Sequence, residues 1–176
     1  MARIFITGSA DGLGILTAKA LIQLGHQVVL HARNEQRGII ARLNAPGAEN
    51  LVIADLSSIE ETITLASKVN ELGSFDVVIH NAGVYQVPAN SVSKEGLSTL
   101  LMVNTIAPYI LTSLIKKPQR LIYLSSGMHM QGNADLDFVS KGSSLAKRIT
   151  YSDTKLHDVI LAKAVPRNGK MFIPMR

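Results

Sequence analysis

The stretch "TGSADGLG", residues 7–14, closes the apolar run "RIFIT" (3–7) and opens a segment with helical spacing. Its glycines stand at 8, 12 and 14, a G-x-x-x-G-x-G pattern rather than the commoner G-x-G-x-x-G. Glycine lets a backbone turn sharply and approach a bulky anion closely. The first N–H groups of the following helix lack partners and carry the positive end of its dipole. Strand, turn and helix together make a pyrophosphate cradle. A glycine-rich turn with no ligand is the alternative, and the position between strand and helix favours the cradle.

Four further runs read as strands: "QVVLHA" (27–32), "NLVIA" (50–54), "FDVVIH" (75–80) and "RLIYLS" (120–125). Each is nearly continuous in hydrophobicity, the mark of strands buried on both faces. Helical spacing fills the gaps between runs. Leu13, Leu16, Ala20 and Leu24 mark one helix; Ile59, Ile63, Ala66 and Val69 mark another, with Ser57 or Ser58 as N-cap and Glu60 and Glu61 in its first turn. A longer helix is expected from Leu97 to Leu114, closed by Lys116, Lys117 and Pro118. Alternation of strand and helix means right-handed βαβ units and a parallel sheet. The expected fold is α/β, a Rossmann-type doubly wound sheet of at least five strands with helices on both faces. Residues 1–176 read as one domain.

With 176 residues the chain can bury a substantial core but not two. Apolar residues make up 47% and charged ones 18%, which excludes a disordered chain. No stretch approaches the roughly 20 apolar residues of a membrane span. The opening "MARIFITGS" lacks the pattern of a signal peptide, so a cytoplasmic location is expected. The absence of cysteine excludes disulfides, thiolate metal sites and thiol nucleophiles. A formal charge of +5 comes from scattered Lys and Arg without interleaved aromatic residues, which argues against nucleic acid and suits a small phosphorylated ligand.

The residue that closes the second strand discriminates between nicotinamide cofactors. A carboxylate there would bind the adenosine ribose hydroxyls, and an Arg would bind a 2′-phosphate. The chain reads "LHARNEQR", with Ala32, Arg33 and Asn34 before any acid. Arg33, assisted by Asn34, points to NADP(H) over NAD(H).

"TYSDTK" (150–155) places Tyr151 and Lys155 one helical turn apart. A free phenol ionises near pH 10, and a neighbouring ammonium favours the phenolate. Such a pair suits proton exchange with an alkoxide or alcohol. By itself the spacing is common.

Taken in order, these motifs resemble the short-chain dehydrogenase/reductase family over residues 1 to about 165. "TGSADGLG", "ADL" (54–56), "NAG" (81–83), "VN" (103–104), "LSS" (124–126) and "YSDTK" (151–155) match its successive signatures. The 24 residues between Ser126 and Tyr151, with "LSSGMHMQGNADLDF", resemble the retinol-dehydrogenase-like reductases. The resemblance implies a catalytic set of Asn104, Ser126, Tyr151 and Lys155. Asn104 would anchor a proton-relaying water, Ser126 would orient the substrate oxygen, and Lys155 would also bind the nicotinamide ribose. Strand alternation leaves Ser125 in competition with Ser126, and the family favours the second. The implied cofactor contacts are Gly8, Ser9, Asp11, Gly12, Leu13, Gly14, Asp55, Leu56, Asn81, Ala82 and Gly83, with Arg33, Asn34, Tyr151 and Lys155. No metal is expected, and His80 and His129 read as structural or surface residues. Met128 and Met130 are expected near the substrate mouth. The implied partner is a small carbonyl or alcohol, with no membrane or nucleic acid and a homo-oligomer left open.

The pattern departs at "VPRNGKMFIPMR" (165–176), where the family continues into a sixth strand, a Pro-Gly turn and a lid. Either Met171 to Ile173 forms a short sixth strand, or this tail is out of frame from near Pro166. A one-base shift permits Trp, Lys, Asp, Val, Tyr, Ser, Asn and Ala, which resembles the family's approach to that turn. The expectation is a sheet edge at strand five and weak or absent turnover. The alternative function is a nucleotide-binding protein that keeps the fold without catalysis.

Overall fold

The computed structural model describes residues 1–88, 91–134 and 149–165. Its strands are β1 (Arg3–Ile6), β2 (Gln27–Ala32), β3 (Asn50–Ile53), β4 (Val77–His80) and β5 (Arg120–Tyr123). They form one parallel sheet in the order β3-β2-β1-β4-β5. β1 lies at the centre, with Phe5 opposite Val29 on one side and Val78 on the other. The chain therefore builds outward from β1 to β3, then crosses to β4 on the other flank. That reversal opens a crevice at the carboxyl ends of β1 and β4.

Strand alternation divides the core into two layers. On one face Ile4, Ile6, Val28 and Leu30 pack with Ile15 and Ala18 of α1 (Gly12–Gln23) and Ala41 of α2 (Glu35–Asn44). On the other, Phe5, Val29 and Val78 pack with Leu65 and Val69 of α3 (Ile59–Glu71) and Leu111 of α5 (Ala107–Leu114). Ser58 caps α3 by accepting the Glu61 N–H, which decides between the two serines expected there. α6 (Tyr151–Ala164) begins with a capping box between Thr150 and Asp153 and packs over β5 and a 3₁₀ turn (Gly127–Gln131).

Two helices differ from their sequence pattern. In α1 the leucines that mark the helix face water: Leu13 is 67% exposed and Leu16 61%. The buried stripe is instead Gly14, Ile15 and Ala18. A Cβ on Gly14 would lie 2.3 Å from the Gly8 carbonyl oxygen, so backbone contact and not side-chain size sets the phase. The helix expected from Leu97 begins as α4 (Thr99–Leu101), widens into a π turn (Met102–Ile106) and resumes as α5. The wide turn contains Asn104, which is fully buried.

Among the described residues β5 has a neighbouring strand only on the β4 side, which makes it the sheet edge. Among them, too, no helix is long and apolar enough to cross a membrane. The Asp-Phe-rich segment at 135–138 and the tail at 166–176, with the strand expected at Met171 to Ile173, lie outside the described residues.

Among the described residues, His31 and His80 are sealed against the sheet. Burial pushes His31 down to about 4 and His80 to about 3. Unfolded histidine titrates near 6.5, so the unfolded chain binds more protons below that value. Their contribution is complete above about pH 6.5 and is lost as pH falls toward 4. Asp158, pushed up to about 6, acts oppositely over roughly pH 4 to 6 and offsets part of the loss. Urea unfolding from pH 7 to 4 should show falling stability, and His80→Phe should flatten the slope by up to about 1.4 kcal/mol per pH unit.

Candidate functional site

Three stitches hold the crevice in shape. Thr7 Oγ1, at the exit of β1, accepts the backbone N–H groups of Asn81 and Ala82, each at 3.1 Å. Asn81 Nδ2 returns donors to the carbonyl oxygens of Thr7 and Gly8, both at 2.9 Å. The Gly8 N–H donates to His31 Nδ1 at 2.9 Å, and His31 Nε2 donates to the Ala54 carbonyl at 3.0 Å. This neutral imidazole ties β1, β2 and β3 together where their ends form the floor. Ser9 completes the clasp, donating to the Ile6 carbonyl and accepting the His31 N–H.

The stitches dictate the glycines. Gly8 has φ +61°, and a Cβ there would lie 2.7 Å from Ala82 Cα. Gly14 has no room at all. Gly12 differs: its φ of +53° is left-handed, yet its missing Cβ would meet nothing within 4 Å. That space belongs to an open cleft of about 770 Å³, within the range of ligand pockets. The bare backbone of Gly12 and the start of α1 therefore leave a cradle that fits a dinucleotide pyrophosphate.

At one end of the cleft stand Arg33, Arg37, Asp55 and Leu56. Arg37 forms an ion pair with Asp11 of the glycine turn. Asn34 does not line the cleft; its Oδ1 accepts the Arg37 N–H and caps α2. Ser9 is likewise buried beneath the turn and not in the lining. Asp55 Oδ1 accepts from the Ser57 N–H and hydroxyl at 2.9 and 2.8 Å.

At the other end are Ser125, Ser126, Tyr151 and Lys155. Lys155 is 4% exposed, and its Nζ donates to the Leu124 carbonyl at 2.7 Å and to Asp158 Oδ2 at 2.8 Å. Nζ lies 5.8 Å from the Tyr151 ring centre, and Tyr85 packs edge-on against that ring at 4.7 Å. The Ser125 hydroxyl donates to the Lys155 carbonyl at 2.8 Å. Ser126 Oγ instead accepts the Met128 N–H at 3.3 Å and caps the 3₁₀ turn.

Asn104 lies behind this end and outside the lining. Its Oδ1 accepts the Val84 N–H at 2.8 Å, and its Nδ2 donates to the Val84 carbonyl at 2.9 Å and to Thr154 at 3.1 Å. It joins the loop after β4 to α6 through the π turn. Gly83 sits between: a Cβ there would be 3.4 Å from Lys155 Nζ and 3.5 Å from Asn104 Oδ1.

Sequence reasoning missed Thr7 as a stitch, His31, Arg37, Tyr85 and Asp158. A histidine inside the apolar run "VVLHA" was the available signal for His31. Arg37 could have been found from the first turn of α2, which returns toward the strand end. Asp158 stands one turn past Lys155.

Residues 2–127 match the model of the short chain dehydrogenase family. An uncharacterized oxidoreductase of Emericella nidulans is 49% identical over 170 residues, covering 95% of this chain and 64% of the relative. Human retinol dehydrogenase 14 is 26% identical, covering 93% of this chain and 56% of its own length. A short-chain dehydrogenase from Sphingobium yanoikuyae, solved in complex with NADPH, superposes with a TM-score of 0.69 at 21% identity, covering 94% of this chain and 65% of that one. The chain thus spans less than two thirds of each.

The two glycines of the cradle should behave differently. Gly14→Ala forces the turn and α1 apart and should lower unfolding free energy by about 2 kcal/mol or more. Gly12→Ala meets open space and should cost only about 1 kcal/mol of backbone strain. Urea unfolding of both variants checks this, and equal losses would refute the packing argument.

Proposed function

The chain belongs to the short-chain dehydrogenase family, and on that premise we propose that it is an NADP(H)-dependent oxidoreductase acting on a carbonyl or alcohol. The observation that carries this reading is the buried Lys155 ammonium held 5.8 Å from the Tyr151 ring, at the opposite end of the cleft from two arginines. One end suits proton chemistry and the other suits a phosphate, and both line a single cleft.

The residues divide the work. The glycine turn and the start of α1 would hold the pyrophosphate, and Asn81, Ala82 and Gly83 would line its path toward Lys155. Arg33 and Arg37 flank the end of β2, where no carboxylate stands at 32–34. Two guanidinium groups favour a ribose 2′-phosphate over free hydroxyls. The Sphingobium enzyme of the same fold was solved with NADPH, which supports a nicotinamide cofactor. When bound, the nicotinamide supplies hydride to a carbonyl carbon, or takes it from an alcohol carbon.

Tyr151 Oη would give the balancing proton to the substrate oxygen, or accept it in the reverse direction. Lys155 stabilises the phenolate that this leaves. Ser125 spends its hydroxyl on the backbone of α6, so Ser126 would be the hydroxyl that orients the substrate oxygen. Asn104 serves by position: it holds the π turn against α6, and with it the base of Tyr151 and Lys155.

Fluorescence titration should show NADPH binding at least about tenfold more tightly than NADH. Arg33→Ala and Arg37→Ala should each weaken NADPH about 5- to 30-fold, the worth of one charged hydrogen-bonding group, and leave NADH nearly unchanged. Tyr151→Phe should keep nucleotide affinity and lose hydride transfer to a reactive carbonyl. Equal affinities for the two cofactors would refute the NADP assignment. Binding without turnover in the unsubstituted chain would favour a nucleotide-binding protein over an enzyme.

A further inference from the structure

Beneath the catalytic end of the cleft lies a carboxylate that the proposed reaction does not use. Asp158 is 3% exposed, stands three residues after Lys155 on α6, and accepts from Nζ at 2.8 Å. We propose that Asp158 is the buried counter-ion of Lys155, a positioning residue that aims the ammonium and limits how strongly its charge acts on Tyr151. This rests on the roles proposed above for Tyr151 and Lys155.

The geometry gives both effects. An ammonium has three hydrogens. Lys155 gives one to the Leu124 carbonyl and one to Asp158, so its stem cannot swing and one donor remains for the cleft. A second charge of opposite sign, 2.8 Å from an ammonium that itself lies 5.8 Å from the Tyr151 ring centre, also cancels part of the field that favours the phenolate. An asparagine in its place would keep the hydrogen bond and lose that cancellation.

Among the described residues, Lys155 is the cation that faces this carboxylate. From β5 comes Tyr123, neutral and pushed up by burial. Its ring stacks on His80 of β4 at 4.9 Å, and Thr112 of α5 bonds to both. His80 is neutral, its imidazole pushed down to about 3 by burial. On α6 itself His157 is also pushed down by burial, and it bonds to Thr105 of the π turn at 3.1 Å. His129 of the 3₁₀ turn bonds to the Ser126 carbonyl, and Arg120 lies exposed at the opposite end of β5. Burial raises the Asp158 carboxyl to about 6 while Lys155 opposes the rise, so it is ionised in neutral solution.

The test is the pH at which the Tyr151 phenolate absorbance develops in the full chain, isolated by subtracting the Tyr151→Phe form of each variant. In Asp158→Asn it should move down by about half to one pH unit, from the loss of one negative charge at that distance. Asp158→Glu, which keeps the charge, should restore the original position. The pH profile for alcohol oxidation should move by the same amount. An unmoved phenolate in Asp158→Asn, or a Glu variant displaced as far as the Asn one, overturns the proposal. Turnover without the shift sinks the Asp158 proposal alone, whereas the shift without turnover sinks the enzyme reading alone. A measurement needing no variant guards against misfolding: NMR of the Asp158 carboxyl carbon should read ionised above about pH 6. A carboxyl still protonated two units higher would refute the counter-ion directly.

Discussion

The close approach of β1 and β4 at their carboxyl ends is the constraint on which the cleft depends. Gly8 and Ala82 come so near that a single Cβ would lie 2.7 Å from the opposing Cα. Thr7 and Asn81 use four hydrogen bonds to hold that approach, all of them to backbone groups beyond the strand ends. The Asn81 N–H also reaches the Ile79 carbonyl, but a group of this kind left unpaired near the floor of the cleft costs about 1–3 kcal/mol. His31 extends the same clasp sideways, bonding through both ring nitrogens. Because the imidazole must stay neutral to accept from Gly8, burial there serves a bond and not merely a volume. The left-handed Gly12 follows from this clasp, since the chain must leave the turn and enter α1 within four residues.

α6 shows how far a functional helix can depart from an ordinary amphipathic one. Its buried residues are Ser152, Thr154, Lys155, His157 and Asp158, all polar. Burying such a face is costly unless each group finds a partner. Thr154 donates to the Tyr151 carbonyl and accepts from Asn104, and Lys155 and Asp158 satisfy each other. The apolar support comes from elsewhere, through the π turn and β5. The helix is therefore positioned by directed bonds, which specify its rotation more narrowly than packing alone.

This difference explains what was legible in the sequence. Parallel strands buried on both faces announce themselves as continuous apolar runs, and all five were located within two residues of their bounds at either end. The glycine pattern was readable because it has one physical use after a first strand. The phase of α1 was not. Periodicity weighs side chains, and here the contact is made by Gly14, which has none. The π turn was hidden for a related reason: it adds one residue to a helical turn, and no composition marks that addition. Asn34 and Arg37 show the limit at the cofactor end. Both are polar and near the strand end, but the capping bond commits Asn34 to the helix and turns Arg37 toward the cleft.

The two ends of the cleft are held by ion pairs of opposite character. Arg37 and Asp11 meet at the surface, with side chains 46% and 68% exposed. A pair of that kind contributes about 0–1 kcal/mol, so an incoming phosphate can take Arg37 from Asp11 at little cost. Lys155 and Asp158 meet with side chains 6% and 4% exposed. Breaking such a pair leaves a buried charge alone, at a cost of about 3–5 kcal/mol. On the function proposed above, the arrangement is adaptable at the end that would admit a phosphate and rigid at the end that would aim a proton. A soft pair at Lys155 would let the ammonium wander from Tyr151, and a rigid pair at Arg37 would compete with the phosphate proposed for that end. The position of each pair relative to solvent, more than the identity of its residues, assigns it to its end.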